Sequence, residues 1–217
     1  MTVSSGSHRL SRLQREFLRR FSARTSAFFL TGGAVLVEWI LGHRRTDDLD
    51  LFTADDDAMA GADRLVRSVA AELGATVEPV QTAPDLRRYL LRSGVDTAIV
   101  DVIRDRAPQL HPKVTRDGVV TDPVEEIVAN KICALLGRAE VRDLVDLYFL
   151  ERAGHRVEDF LGDAQRKDAG VTPAALAWVL SEMVVPDAPP GDADGATVQA
   201  FARDLEARLR RLAVPVP

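Results

Sequence analysis

Asp47, Asp48 and Asp50 stand inside an apolar segment, interleaved with Leu49, Leu51 and Phe52. A strand points residues two apart to the same face, so Asp48 and Asp50 project together while Leu49 and Leu51 enter a core. Like charges this close repel, and carboxylates among apolar neighbours call for a cation. The segment therefore predicts a half-buried strand, Asp48 to Thr53, whose polar face is either a site or a solvated strand edge. Mg²⁺ suits such a pair, because it takes hard oxygen ligands and completes its shell with water and substrate phosphates. A two-metal site needs a further carboxylate from a neighbouring element. Asp101, alone among apolar residues in "AIVDVI", is the candidate, and Asp96 is the fallback. An EF-hand loop is excluded, since Thr53 stands at the sixth position from Asp48, where glycine is required.

Just upstream, Gly32 and Gly33 separate an apolar strand at Phe28 to Thr31 from a helical pattern at Ala34 to Leu41. Without side chains the backbone can approach a phosphate, and the N–H groups of the following helix face the same anion. Neither the lysine-bearing phosphate loop nor the spaced glycine fingerprint of dinucleotide binders is present. Leu10, Leu13, Phe17 and Phe21 have helical spacing, and Ala62 to Leu73 is helical up to Gly74. "ATVEPVQ", "LRRYLLR" and "VDTAIVDVIR" read as a meander of strands. The order predicts an α+β fold, a mixed sheet with helices on it. From residue 122 the pattern is helical, with Asp122 as N-cap, Pro123 at the first helical position and Glu125 three residues after the cap. Further helices are expected at 172–183 and 196–212, joined by a surface loop, "VVPDAPPGDADG".

The net charge of −5 argues against a dedicated nucleic-acid binder, but the charge is uneven. Arginines crowd both ends, at Arg9, Arg12, Arg15, Arg19, Arg20 and Arg24 and again at Arg203, Arg208, Arg210 and Arg211. They read either as solvated helix faces or as a surface for a polyanion. A single cysteine, Cys133, excludes an internal disulfide and a thiolate metal cage. No run of 18 apolar residues occurs and the opening segment lacks a signal-peptide pattern, so a cytoplasmic protein that does not enter a membrane is expected.

On the helix after Asp122, Val124, Ile127, Val128, Ile132 and Leu135 form an apolar stripe, and Lys131 falls near its middle. An ammonium there must meet an anion or reach solvent. On the next helix Arg142, Asp143 and Asp146 share a face, which is either functional or an exposed i,i+4 pair of Arg142 with Asp146. His43 and Arg44, before the acidic segment, either position the loop by pairing with Asp47 or contact a substrate.

Together these residues resemble the DNA polymerase β-like nucleotidyltransferases, which carry a Gly-Gly or Gly-Ser turn, Asp-x-Asp in a strand and a later lone Asp in another. More narrowly, "TGGAVLVEWILGHRRTDDLDLF" and "DPVEEIVANKICALLGRAEVRDLVDLYFL" resemble the AbiEii/AbiGii toxin family, over residues 28 to about 150. The resemblance implies a nucleotidyltransferase-fold mixed sheet at 1–121 and a helical region at 122–217 that completes the site. It implies transfer of a nucleoside monophosphate from an NTP, dependent on Mg²⁺ or Mn²⁺, to an acceptor expected to be tRNA or another RNA. It implies the toxin of a type IV toxin–antitoxin pair, with a cognate antitoxin as partner. A protein or small-molecule acceptor, such as an aminoglycoside, and a non-catalytic NTP-binding domain are the alternatives. Residue by residue, Gly32 and Gly33, with Thr31 beside them, match the nucleotide-binding turn, and Asp48 and Asp50 match the metal ligands, with Asp101 as the later acid. Lys131 matches the phosphate-binding lysine, with Arg142 nearby, and Asp146 matches the late acidic residue. Gly33 replaces the serine variant of the turn.

Overall fold

The apolar periodicities resolve into two units in the computed structural model of the chain, which describes residues 9–214. Residues 1–8, which open the stretch read as lacking a signal peptide, lie outside the described residues. The first unit runs up to Arg106 and includes Pro112–Asp122; the second comprises Ala107–His111 and the chain from Pro123 onward.

The first unit is built on a seven-stranded mixed sheet. Its strands are β1 (Phe29–Leu30), β2 (Asp48–Thr53), β3 (Thr76–Ala83), β4 (Leu86–Ser93), β5 (Asp96–Arg104), β6 (Val114–Arg116) and β7 (Val119–Thr121), ordered β3-β4-β5-β2-β1-β7-β6. β2 pairs parallel with β5, and β1 antiparallel with β2. Alternation divides the sheet into two unlike faces. Leu49, Leu51, Val100, Val102, Tyr89 and Leu91 are buried on one of them. There they meet α1 (Arg12–Ser22), through Phe17 and Phe21, and α3 (Asp56–Glu72), through Ala62, Val66 and Val69. The other face carries Asp48, Asp50, Asp101 and Arg88.

The helix starts follow from capping. The Ser11 hydroxyl accepts from the Gln14 N–H while the Gln14 side chain accepts from the Ser11 N–H, closing the first turn of α1. α3 begins six residues before the expected Ala62, because the Asp55 carboxylate accepts from the N–H groups of Asp57 and Ala58. Asp56 and Asp57 then lie in its first turn, where the helix dipole favours negative charge. α2 (Gly32–Val35) starts at the glycine pair itself and continues as a π-helical turn at Leu36–Ile40.

The second unit is helical: α4 (Val124–Arg138), α5 (Val141–Arg152), a 3₁₀ turn (Val157–Phe160), α6 (Leu161–Lys167), α7 (Pro173–Glu182) and α8 (Gly195–Ala213). α4 packs against α5, α6 and α7 through Ile127, Ile132 and Leu135. Its N-cap is Pro123, one residue later than expected. Asp122 is instead committed to the sheet of the first unit, where its N–H donates to the Leu30 carbonyl. Arg208, read from sequence as one of a surface group, is half-buried and holds both Glu151 and Glu158.

Glu126 ties the short segment Ala107–His111 into this unit. Its fully buried carboxylate accepts from the Leu110 and His111 N–H groups and pairs with Lys167, which is itself nearly buried. Lys167 also donates to the Pro108 carbonyl. Glu126→Ala strands an ammonium and two amides, and is expected to cost about 3 to 5 kcal/mol. The check is the urea midpoint of variant against wild type; a shift below about 1 kcal/mol would show that the clasp is not structural.

Candidate active site

Parallel pairing of β2 with β5 puts the Asp50 and Asp101 Cα atoms directly opposite one another, with Asp48 opposite Ile99. All three carboxylates therefore lie on the sheet face away from α1 and α3. Asp48 and Asp50 are half-buried and Asp101 is buried. Asp101 is bound by Arg88, directly opposite it on β4: Nε donates to Oδ1 at 2.8 Å and Nη2 to Oδ2 at 2.7 Å. This is the fork-on-fork geometry that makes arginine–carboxylate pairs strong. The bond to Asp101 raises the Arg88 pKa beyond its ordinary value, burial opposes the rise, and the charges of Asp48 and Asp50 add to it.

A third metal ligand at Asp101 would have to displace this guanidinium. Both Asp101 oxygens are used by it, and among the described residues no group of three or more acidic, histidine or cysteine side chains is arranged to hold a metal. Asp96 does not replace it. It is five residues away on the same strand, an odd offset that turns it to the opposite face, and it lies with Arg12 and Arg20 beside α1.

The glycine turn borders Asp50 from the β1 side. Gly32 has φ +66°, in the left-handed region, and a Cβ there would stand 3.1 Å from Asp50 Oδ2. A Cβ on Gly33 would come within 2.5 Å of the Arg44 Nη2 atom. Gly32 is thus required by its backbone conformation and by Asp50, while at Gly33 a side chain would displace the end of Arg44. Arg44 and His43 are buried, and Arg44 donates to the Arg45 carbonyl. The Thr31 N–H donates to the Asp50 carbonyl. Its hydroxyl oxygen is buried with no hydrogen-bond partner, and alternation from Phe29, opposite Phe52, places it on the carboxylate face.

In the second unit Lys131 does meet anions. Its Nζ is 2.8 Å from Asp143 Oδ1 and 2.6 Å from Asp146 Oδ2, and both carboxylates are fully buried. Arg138 grips Asp143 with Nε at 2.7 Å and Nη2 at 2.9 Å. Burial alone would lower the Lys131 pKa, but Asp146 and Asp143 outweigh it and raise it. Burial likewise opposes ionisation of Asp143, and Arg138 and Lys131 overcome that and lower its pKa. The exposed Arg142–Asp146 pair considered from sequence is not what forms: Arg142 pairs with Glu140, and Asp146 with Lys131. Sequence reasoning placed Asp143 on the correct face and missed its importance; its spacing from Asp146, three residues along one helix face, was the available signal.

The N-terminal arginines lie with α1 on the other side of the sheet from the carboxylates, and several are matched there. Arg19 and Arg20 pair with Glu16, and Arg20 and Arg24 pair with Glu72. Near the carboxylates, sequence reasoning missed Arg88, whose meaning depends on cross-strand register.

A family model described as nucleotidyl transferase AbiEii toxin, type IV TA system, matches residues 16–169. No curated protein matches the chain. Among solved structures, JHP933 from Helicobacter pylori is similar with a TM-score of 0.58 at 19% identity, over 93% of this chain and 92% of that one. MenT4, a nucleotidyltransferase toxin from Mycobacterium tuberculosis H37Rv, is similar with a TM-score of 0.55 at 19% identity, over 91% of this chain and 82% of that one. At these identities the two structures show a shared fold.

The buried network reverses an expectation that follows from the apolar stripe alone. Lys131→Met keeps the volume but strands carboxylates, so it is expected to destabilise by about 3 to 5 kcal/mol. Adding Asp146→Asn should recover part of the loss, because Asp143 retains Arg138. The wild-type contribution of Asp143 is present above its unfolded pKa near 3.8 and is lost as pH falls through its lower folded value. The deficit of Lys131→Met should therefore narrow toward acid, where the stranded carboxylate takes up a proton. Thermal melts from neutral to acid pH read both effects, and a variant as stable as wild type at neutral pH would refute them.

Proposed function

The chain belongs to the AbiEii nucleotidyl transferase toxin family of type IV toxin–antitoxin systems, and we propose that it transfers a nucleoside monophosphate from an NTP to an RNA 3′ hydroxyl, with tRNA as the acceptor. The acceptor oxygen forms a bond to the α-phosphorus, the bond from that phosphorus to the β-bridging oxygen breaks, and pyrophosphate leaves with both electrons. The acceptor proton passes to a nearby base or to water. The observation that carries this reading is the contact of the glycine turn with Asp50, where a Cβ at Gly32 would fill the space beside a metal-binding carboxylate.

The residues fit the group the family implies. Asp48 and Asp50 supply hard oxygen donors on one open strand face, the donor type Mg²⁺ and Mn²⁺ take. A divalent cation held there supplies charge neutralisation for phosphate oxygens and a lowered pKa for the acceptor hydroxyl. The turn N–H groups at Gly32 and Gly33 and the unpartnered Thr31 hydroxyl offer donors to the triphosphate. Arg44, packed on Gly33, adds a positive charge at the same turn. The resemblance matches Lys131 to a phosphate-binding lysine and Asp146 to a late acidic residue, and the 2.6 Å contact of Asp146 with Nζ supports a role for Asp146 in holding Lys131. We place the reaction in the cytoplasm, where NTP and RNA are available, with a cognate antitoxin as the further partner. Among the described residues no helix is long and apolar enough to cross a membrane.

The test offers each α-labelled NTP with Mg²⁺ and total RNA, and asks where label resides. Label on RNA is expected, abolished by EDTA and by Asp50→Asn. That substitution removes a ligand charge and relieves repulsion with Asp48, so it should leave the melting temperature unchanged or higher. Label on protein alone would redirect the acceptor assignment, and full activity in EDTA would end the metal reading.

A further inference from the structure

We propose that Arg88, clamped by Asp101, is the acceptor-binding residue of this site and grips a phosphate next to the RNA hydroxyl that attacks. The inference rests on the nucleotidyltransfer reading above and deepens it. Asp50 sits between two unlike neighbours. On the β1 side lies the glycine turn, in contact with Asp50. On the β5 side lies Asp101, and beyond it Arg88 on β4.

In-line displacement sets the attacking and leaving oxygens on opposite sides of the phosphorus. A triphosphate cradled at the glycine turn sends pyrophosphate toward β1, so the acceptor approaches over β5 and β4. At the position where a third carboxylate was expected, that approach meets a guanidinium. Two of its nitrogens are pinned to Asp101, and its side chain remains 38% exposed, leaving N–H donors toward solvent. Asp101 acts through Arg88 as a positioning residue: it fixes the fork in orientation and supplies no ligand of its own. Arg92, four residues along β4 and so on the same face, adds a second exposed cation to this flank, with Glu78 at 3.9 Å. A phosphodiester suits such a flank, whereas the arginines of α1 lie on the opposite side of the sheet.

The experiment measures three quantities for wild type, Asp50→Asn, Asp101→Asn, Arg88→Gln, Arg88→Lys and the Arg88→Gln/Asp101→Asn pair. They are Mn²⁺ binding by electron paramagnetic resonance, NTP binding by calorimetry with Mn²⁺, and binding of a fluorescent single-stranded RNA across a salt series. Arg88→Gln is expected to keep Mn²⁺ and NTP binding and to weaken RNA binding roughly tenfold, with Arg88→Lys intermediate. The slope of log affinity against log salt should fall by about 0.7, the value for one single-strand phosphate contact. Asp101→Asn should keep Mn²⁺, unlike Asp50→Asn, and the double variant should bind RNA no worse than Arg88→Gln. Loss of Mn²⁺ binding in Asp101→Asn would restore Asp101 as a ligand and overturn the proposal. Unchanged RNA affinity and slope in Arg88→Gln would overturn it too, leaving a structural ion pair only. A wild-type chain that binds Mn²⁺ and NTP but no RNA would instead overturn the acceptor assignment beneath it, and the two failures are told apart by the wild-type measurement alone.

Discussion

The parallel pairing of β2 with β5 is the constraint on which the polar face depends. It sets Asp50 against Asp101 in register, and two carboxylates on adjacent strands repel unless a cation intervenes. Arg88 intervenes from the next strand, in a geometry that only the antiparallel register of β4 and β5 provides. The opposite face carries none of this cost. Leu49, Leu51, Val100 and Val102, all essentially buried, hold the same strands through apolar contact with α1 and α3, and each buried side chain of that size contributes about 1.5 to 3 kcal/mol. The apolar face stabilises the sheet, and the polar face can then hold charges that no fold would place together for stability.

The two units handle concentrated charge in different ways. In the helical unit, Lys131, Arg138, Asp143 and Asp146 form a closed network with its lysine and carboxylates buried, where every pair also carries hydrogen bonds. Such a network specifies one packing of α4 on α5, since any slip strands a charge. On the sheet face the charges are spread along strand edges instead. Arg88 offsets Asp101 and Arg44 lies at the glycine turn, while Asp48 and Asp50 stay half-buried on an open strand.

What could be read from the chain alone divides along physical lines. Local periodicity located β2 to the residue, the three strands after it and the long helices α1, α4, α7 and α8, because each buries one face against a core. β6 and β7 were not anticipated, although Asp117-Gly118, both with positive φ, is a strong hairpin signal; strands of three residues are too short to show alternation. The start of α3 was set by the Asp55 cap, ahead of the apolar periodicity that begins at Ala62. Lys131 stood out because a charge on an apolar stripe is locally visible. Its partners were not, and neither was Arg88: "LRRYLLR" shows two arginines at alternating positions, but which of them faces Asp101 is a property of pairing between strands.

That distinction bears on how an acidic triad should be read in chains of this kind. A lone aspartate among apolar residues in a third strand has the same local appearance whether it holds a metal or an arginine, since both demands are met by a buried carboxylate on the polar face. The difference lies with its cross-strand neighbour. A small or neutral residue opposite Asp101 would leave both oxygens open and the face strongly negative, which favours metals and repels a polyanionic acceptor. Arg88 opposite it neutralises that corner while leaving Asp48 and Asp50 as they were. The same three acids are compatible with either chemistry, and the residue one strand further out is where the two readings part.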